Sequence, residues 1–148
     1  MKPSPLQLNQ TFIGAIVLQP KPPEFSSEVN VTTAQSFARG DVVKNQWQVT
    51  LKVSFKGAGD KPAQYEGSIE VSGIFTVTAE LAEEQHLRLV AVTCPSLLYS
   101  TARETIAMLT ARGPHGVFLL PSVSFTDLTL TPTAQPATLP RPAAVASA

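Results

Sequence analysis

Ten consecutive residues in the middle of the chain, from Gln46 to Phe55, alternate strictly between polar and apolar side chains. Successive side chains of a β-strand point to opposite faces, so this period of two predicts a strand with one buried and one solvated face. Strands of this kind are typical of antiparallel sheets. The segment therefore restricts the chain to folds with an antiparallel sheet at their centre.

Three further segments are strand-like: Leu6 to Leu18, Glu28 to Phe37 and Gln64 to Thr78. Prolines at positions 20, 22 and 23 keep the connection after the first segment out of any ladder. Gly67 and Gly73 fall on the apolar side of the last segment, which indicates a bulge or a close approach of another part of the chain.

The first strand-like segment is apolar on both sides towards its end, so we expect cover on both faces there. A period of two divides its large side chains into two sets, with Phe12, Ile16 and Leu18 on one face and Ile13 and Val17 on the other.

The hydrophobic period changes at Ala79 from that of a strand to that of a helix. Ala79 to Val92 is compatible with a first, shorter helix. Thr93 or Cys94 is suited to cap a second, longer helix that begins at Pro95 and ends before Gly113-Pro114. The apolar stripe of this second helix has helical spacing and consists of Leu98, Ala102, Ile106 and Leu109.

These elements predict an α+β fold: a four-stranded antiparallel sheet with one long helix, preceded by a shorter helical segment, packed on one face. The 148 residues fit one domain, which we place at residues 1–130. Residues 131–148 are rich in alanine, proline and threonine, and we predict a disordered tail there. A single chain with one long helix cannot bury both the apolar face of its sheet and the apolar stripe of the helix. We therefore expect association into a dimer or tetramer.

Composition narrows the class of partner. The formal net charge is zero, which argues against nucleic acid or an anionic membrane surface as a partner. No apolar run is long enough to span a bilayer and no signal peptide is evident. Cys94 is the only cysteine, so an internal disulfide is impossible and a cytoplasmic location is expected.

Catalytic and metal-binding sites are not indicated, and we predict neither an enzyme nor a cofactor. Ser96 and Ser100 lack the glycines of a nucleophile elbow. His86 and His115 have no neighbouring ligands at metal-binding spacing, and the acidic residues near His86 fit a solvated helix face. Cys94 is either a nucleophile at a helix N-terminus or, the interpretation we favour, a small buried cap residue.

The stretch from Cys94 to Glu104 reads Cys-Pro-Ser-Leu-Leu-Tyr-Ser-Thr-Ala-Arg-Glu. It closely resembles the segment that opens the long helix of the SecB family of protein-export chaperones. The likeness continues in Gly73-Ile74-Phe75 on the fourth strand and in Pro121, Val123 and Phe125 after the helix. It spans roughly Phe12 to Phe125.

The resemblance implies a homotetramer, a dimer of dimers with helices between two sheets, that holds unfolded preproteins and passes them to the ATPase SecA. The client-binding groove would include Phe25, Val29 and Val31, for which ordinary core packing is the alternative. The helix stripe Leu98, Ala102, Ile106 and Leu109 would form the subunit interface.

Three departures from the family pattern bear on the partner. Acidic surface residues that meet SecA in the family correspond here to Gly14, Leu18 and Ser68. The proline-rich connection is shorter than in the family, and the family's C-terminal amphipathic helix has no counterpart. These features suit a SecB-like chaperone dedicated to one antitoxin as an alternative to an export chaperone. A small-molecule or lipid-binding module that uses the apolar face of the sheet is a further alternative of a different class.

Overall fold

A computed structural model describes residues 1–130, and the tail predicted for residues 131–148 lies outside them. The described chain forms four strands and one helix: β1 (Leu6–Pro20), β2 (Val29–Arg39), β3 (Gln46–Gly57), β4 (Tyr65–Val77) and α1 (Glu83–Thr110). The strands form one antiparallel sheet in the order β1-β4-β3-β2. The predicted α+β fold with four antiparallel strands and one long helix is confirmed.

Helix α1 packs on one face of the sheet, which we call the inner face. Alternation along β3 and β4 puts their large apolar side chains there, and Val49, Leu51 and Ile69 have no exposed surface. The opposite, outer face carries short polar side chains, such as the hydroxyls of Thr50 and Ser72, which lie 2.8 Å apart. The predicted half-buried character of β3 is confirmed.

Strand β1 contains two bulges, and the second changes which of its residues share a face. Ile13 pairs with Val71 and Ile16 pairs with Ile69, so residues 14 and 15 of β1 together oppose a single residue of β4. An extra residue of this kind shifts the alternation by one position.

The predicted division of β1 into faces is therefore wrong. Ile13, Ile16 and Leu18 lie together on the inner face, whereas Phe12 and Val17 lie on the outer face. A strict period of two fails here because the bulge lies between Ile13 and Ile16. The expectation that other parts of the protein cover both faces of β1 is not met within the described chain, since Phe12 and Ile13 are 42% and 46% exposed.

The two predicted helices form one continuous helix of 28 residues, with Pro95 inside it. Neither Thr93 nor Cys94 is a cap, because the helix begins at Glu83 after Ala82. An internal proline costs about 3 kcal/mol of helix stability. On the face of the helix that packs on the sheet, Val90 before Pro95 and Leu98 after it are both fully buried. This packing offsets the cost of the proline.

Two glycines allow close approaches that their positions in β4 had indicated. A Cβ on Gly73 would lie 2.9 Å from a methyl group of Leu98, so the helix approaches the sheet closely at that point. A Cβ on Gly67 would collide with the backbone carbonyl of Val17 in the neighbouring strand. The predicted close approach is confirmed at both positions.

After the helix, residues 117–130 run without joining the sheet. Phe118 and Leu120 are buried in the core, and the hydroxyl of Thr110 accepts a 2.8 Å hydrogen bond from the backbone N–H of Phe118. Further along, the ring of Phe125 packs edge-on against Tyr99 with centroids 6.0 Å apart. Within residues 1–130, no helix has the length and apolar character needed to cross a membrane.

Candidate functional site

Strand β2 forms one edge of the sheet, and α1 leaves most of its inner face without cover. The helix packs mainly on β4 and β3. Val29, Val31 and Phe37 are half-buried on this face, where they pack against the core while keeping part of their surface in solvent. Within residues 1–130, β2 pairs with β3 alone, so its other edge presents free backbone N–H and C=O groups.

Strand β2 also lacks the features that protect most edge strands. It pairs along 11 residues without a bulge, contains no proline, and Arg39 at its end is its single charged residue. Edge strands are usually shielded by charges, prolines or bulges. The other edge of the sheet, β1, has two bulges and ends at Pro20. The combination of an open edge and half-buried aliphatic side chains can accept an extended polypeptide.

The connection from β1 to β2 crosses the end of the sheet, because these two strands lie at opposite edges. The N–H of Lys21 donates to the carbonyl of Gln64 at 3.0 Å, and the N–H of Ser26 donates to the carbonyl of Pro62 at 2.7 Å. The connection is thus fixed to the loop between β3 and β4, which places Phe25 beside the start of β2.

His115 holds this connection from the other side and is a residue whose role the sequence did not reveal. Its ring nitrogen lies 2.7 Å from the carbonyl oxygen of Lys21. Phe25 packs edge-on against the imidazole at 4.5 Å between centroids, and Tyr65 packs on it at 5.4 Å. The ring of Phe25 therefore packs against His115 and keeps part of its surface in solvent. Its predicted contact with clients stays a prediction.

The predicted interface residues fall into two groups. Leu98, Ala102 and Ile106 have no exposed surface in the single chain, because they pack against the chain's own sheet. Leu109 is 46% exposed and, of the four predicted residues, is the one with surface left for a partner. Exposed apolar surface is also present on the helix at Leu97 and Met108, and on the inner face of β1 at Leu8, Ile13 and Ile16.

The three positions that correspond to acidic residues in the SecB family do not share a face. Ser68 pairs with Val17 and lies on the outer face. A Cβ on Gly14 would lie 3.2 Å from a carboxylate oxygen of Glu70, whose pairing with Lys52 places it on the outer face as well. Leu18 lies on the inner face and packs against the core.

The nucleophile candidates make purely structural contacts. Cys94 has no exposed surface, and burial raises the pKa of its thiol to about 12, so the reactive thiolate does not form at neutral pH. Ser96 donates its hydroxyl hydrogen to the carbonyl of Val92 at 2.6 Å, and Ser100 donates to the carbonyl of Ser96 at 3.2 Å. Both hydroxyls therefore bond back to the helix that carries them.

His86 is buried rather than part of a solvated acidic face, which corrects the expectation for its surroundings. Its Nε2 accepts a 2.8 Å hydrogen bond from Nε1–H of Trp47. Burial and, to a smaller degree, the cation of Arg39 lower the pKa of His86. Among residues 1–130, no three histidine, cysteine, aspartate or glutamate side chains are grouped so that they could hold a metal ion.

Cavities flank the helix where the segment 121–130 lies against it. One, of about 730 Å³, is at the helix start between Leu87, Arg88 and residues 126–130. A second, of about 340 Å³, is lined by Gln85, Arg88, Leu89, Val92 and Thr126. A third, of about 210 Å³, is lined by Ser96, Tyr99, Ser100, Arg103, Ser122, Val123 and Phe125.

Comparison with known proteins adds to this geometry. The family described as Preprotein translocase subunit SecB matches residues 6–135. The protein-export protein SecB of Rhodopseudomonas palustris is 30% identical over 120 residues, which cover 81% of this chain and 70% of that protein. SecB of Acidithiobacillus ferrooxidans is 32% identical over 101 residues, 68% of this chain and 66% of the relative.

A solved structure shares the fold. It is a SecB-like chaperone of Mycobacterium tuberculosis in complex with a ChAD peptide from the HigA1 antitoxin. Its TM-score is 0.60 at 14% sequence identity, and the match covers 80% of this chain and 91% of that one. With the family match extending over β1 to β4, α1 and the segment that follows, the chain belongs to the SecB family.

Proposed function

We propose that this protein is an ATP-independent chaperone that holds unfolded or extended polypeptides on the inner face and free edge of β2. The single observation that carries the proposal is that β2 has both half-buried valines, Val29 and Val31, and an unprotected edge 11 residues long. Unfolded clients expose apolar side chains and unpaired backbone groups, and this surface offers a partner for each.

The interaction requires no chemical step. Complete burial of a valine side chain contributes roughly 1.5–3 kcal/mol, and a client covers part of one already half-buried, so each contact contributes a few tenths to about 1 kcal/mol. Backbone hydrogen bonds along the edge are independent of the client's sequence. Weak apolar contacts and unspecific backbone bonds suit a protein that binds many sequences reversibly.

The clients we propose first are preproteins kept competent for export, by analogy with the relatives named protein-export protein SecB. SecA would then be the receiving partner, in the cytoplasm. Docking of SecA on an acidic face would be weaker here than in the family, because Gly14 and Ser68 on the outer face carry no charge. For that reason a dedicated antitoxin chaperone, as in the structural neighbour bound to an antitoxin peptide, is the second candidate.

We also propose self-association through the apolar surface formed by Ile13, Ile16, Leu97 and Leu109. These side chains are between 38% and 46% exposed in the single chain. Burial of such a surface between copies is favourable at roughly 25 cal/mol per Å² of apolar area. A dimer built in this way would supply half of the tetramer that the family resemblance implies.

A refolding assay tests the function. Purified protein should delay the refolding of a slow-folding client in the absence of nucleotide, and the delay should be unaffected by ATP. Clients captured from the host cytosol would be a varied set of preproteins for an export chaperone and one antitoxin for a dedicated chaperone. Unaltered refolding kinetics, together with a bound lipid or metabolite in native mass spectrometry, would instead favour a small-molecule module.

A further inference from the structure

The free edge of β2 is formed by the backbone groups of its odd-numbered residues. At one end of the strand the N–H of Gly40 donates to the carbonyl of Gln46 at 2.8 Å, and at the other the N–H of Ala58 donates to the carbonyl of Glu28 at 3.1 Å. Even-numbered positions therefore bond to β3. Because backbone groups alternate between the two sides of a strand and the β2–β3 register has no bulge, the odd-numbered residues direct theirs away from the sheet.

The same odd-numbered residues carry the inner-face side chains of β2, and these have a polar centre between apolar ends. Thr33 and Gln35 form the centre, where the side-chain amide of Gln35 donates to the hydroxyl of Thr33 at 2.7 Å. Val31 precedes this pair and Phe37 follows it, and both pack against the core. The order of polar and apolar side chains is thus the same when the strand is read in either direction from its middle.

The outer face of β2 has small, uncharged side chains. Asn30, Thr32, Ala34 and Ser36 are all exposed there. Small side chains leave room for a further strand beside β2, and the absence of charge on this face removes a common obstacle to such pairing.

One antiparallel register matches this pattern to a second copy of itself. When Ala34 of each copy lies opposite Ala34 of the other at a two-fold axis, Val31 faces Phe37 and Thr33 faces Gln35. An axis at Thr33 would instead place Val31 against Gln35, and an axis at Gln35 would place Phe37 against Thr33. The single charge of the strand, Arg39, lies roughly 34 Å from its counterpart at about 3.4 Å per residue, so like charges do not meet.

We propose that β2 pairs in this register with β2 of a second copy, and that this contact covers the client edge while no client is bound. A two-fold contact uses the same surface on both copies, and it joins the two four-stranded sheets edge to edge. The self-complementary pattern of side chains selects a second copy as the occupant. This contact is on the opposite edge strand from the apolar surface around Ile13 and Ile16. It goes beyond the proposed function, and only the displacement of the second copy by a client rests on that function.

Cysteine crosslinking tests the contact and its register. Ala34 would occupy a non-hydrogen-bonded position of the new strand pair, where opposing Cα atoms lie about 4.5 Å apart. This separation is within the range of roughly 4.4–6.8 Å that a disulfide bridges. Ala34→Cys should therefore form a disulfide-linked dimer in oxidised glutathione, measured on a non-reducing gel. The native Cys94 has no exposed surface and does not compete.

Thr32→Cys and Ser36→Cys are matched controls, since both positions are exposed on the same face of the same strand. In the proposed register Thr32 of one copy faces Ser36 of the other, whereas two identical positions are about 14 Å apart. Each control alone should crosslink about tenfold less than Ala34→Cys, because this distance is too long for a disulfide. An equimolar mixture of the two controls should regain the crosslink.

The refolding delay of a slow-folding client, measured on the same samples, reports the proposed function separately. An excess of unfolded client should lower the yield of the Ala34→Cys dimer. The inference is overturned if Ala34→Cys does not crosslink, or if all three single variants crosslink equally. A wild-type delay without the crosslink would leave the chaperone function standing, and a crosslink without any delay would do the reverse. An undiminished crosslink beside a wild-type delay would show that client and second copy do not share the edge.

Discussion

The indole of Trp47 donates a hydrogen bond to Nε2 of His86 across 2.8 Å, and both side chains are buried where α1 begins. Arg39 completes the arrangement: its guanidinium lies 5.3 Å from the indole centroid and pairs with Glu83 at 2.8 Å. These contacts tie the end of β2, the start of β3 and the first turn of the helix to one another.

The hydrogen bond requires a neutral His86, so stability should depend on pH. Burial lowers the pKa of His86 below its ordinary 6.5, so the unfolded chain binds this proton more readily than the folded one. The free energy of unfolding should therefore fall as pH drops below about 6.5. Denaturant unfolding followed through the fluorescence of Trp47 measures it. His86→Gln keeps an acceptor without titrating and should flatten the profile; equal slopes in both proteins would contradict this assignment.

Client binding should depend on the inner face of β2. Val29→Asp with Val31→Asp makes a bound client desolvate two charges without partners, so affinity should fall about tenfold or more, a loss of at least about 1.4 kcal/mol. Thr32→Asp adds a charge to the outer face of the same strand and should have little effect. Fluorescence anisotropy of a labelled unfolded client measures all three proteins. Equal affinity in a folded, assembled double mutant would place the client surface elsewhere.

His115 should act through the position of the β1–β2 connection. His115→Ala removes the contact with the Lys21 carbonyl and the packing against Phe25, so we expect a stability loss of about 1–2 kcal/mol. Amide exchange should accelerate in residues 21–28 more than in β3. Phe25→Ala separates packing from binding: if Phe25 contacts clients, this variant should lose more affinity than His115→Ala does. Unchanged exchange in residues 21–28 would show that His115 does not hold the connection.

Subunit association should depend on the inner face of β1. Ile16→Asp introduces a charge into the proposed apolar contact, and the protein should dissociate to a smaller species in sedimentation velocity. Val17→Asp is a matched control, since Val17 is 47% exposed but lies on the outer face. If Val17→Asp dissociates the assembly and Ile16→Asp does not, the contact lies on the opposite face of the sheet.

The sheet was predictable because its signal is local. The alternation in β3 and β4 involves neighbouring residues, and both strands lie within two residues of the predicted limits. The faces of β1 could not be predicted, because a bulge between Ile13 and Ile16 is decided by pairing with a strand some 50 residues away. The prediction of two helices that meet at Pro95 was wrong for a related reason. Proline locally favours a helix start, but packing on the sheet overrides this preference.

The same distinction applies to the candidate site. The place of Val29 and Val31 on one face of β2 could be predicted from the strand pattern, whereas their contact with clients stays a prediction. The contacts of His86 and His115 could not, since their partners Trp47, Lys21 and Tyr65 are between 39 and 94 residues away in the sequence. Burial of Leu98 and Ile106 in their own subunit likewise depends on how closely the helix approaches the sheet, and the apolar stripe alone does not specify that distance.

The placement of β1 beside β4 has a consequence for how the protein folds during its synthesis on the ribosome. Of these four strands, β1 leaves the ribosome first, yet its partner strand ends at Val77, 57 residues after Pro20. At about 5–20 residues per second, translation supplies that partner roughly 3 to 11 seconds later. During this interval Phe12, Ile13 and Val17 are exposed on an unpaired segment. A nascent chain of this protein thus passes through the same unfolded condition that we propose it guards against in others.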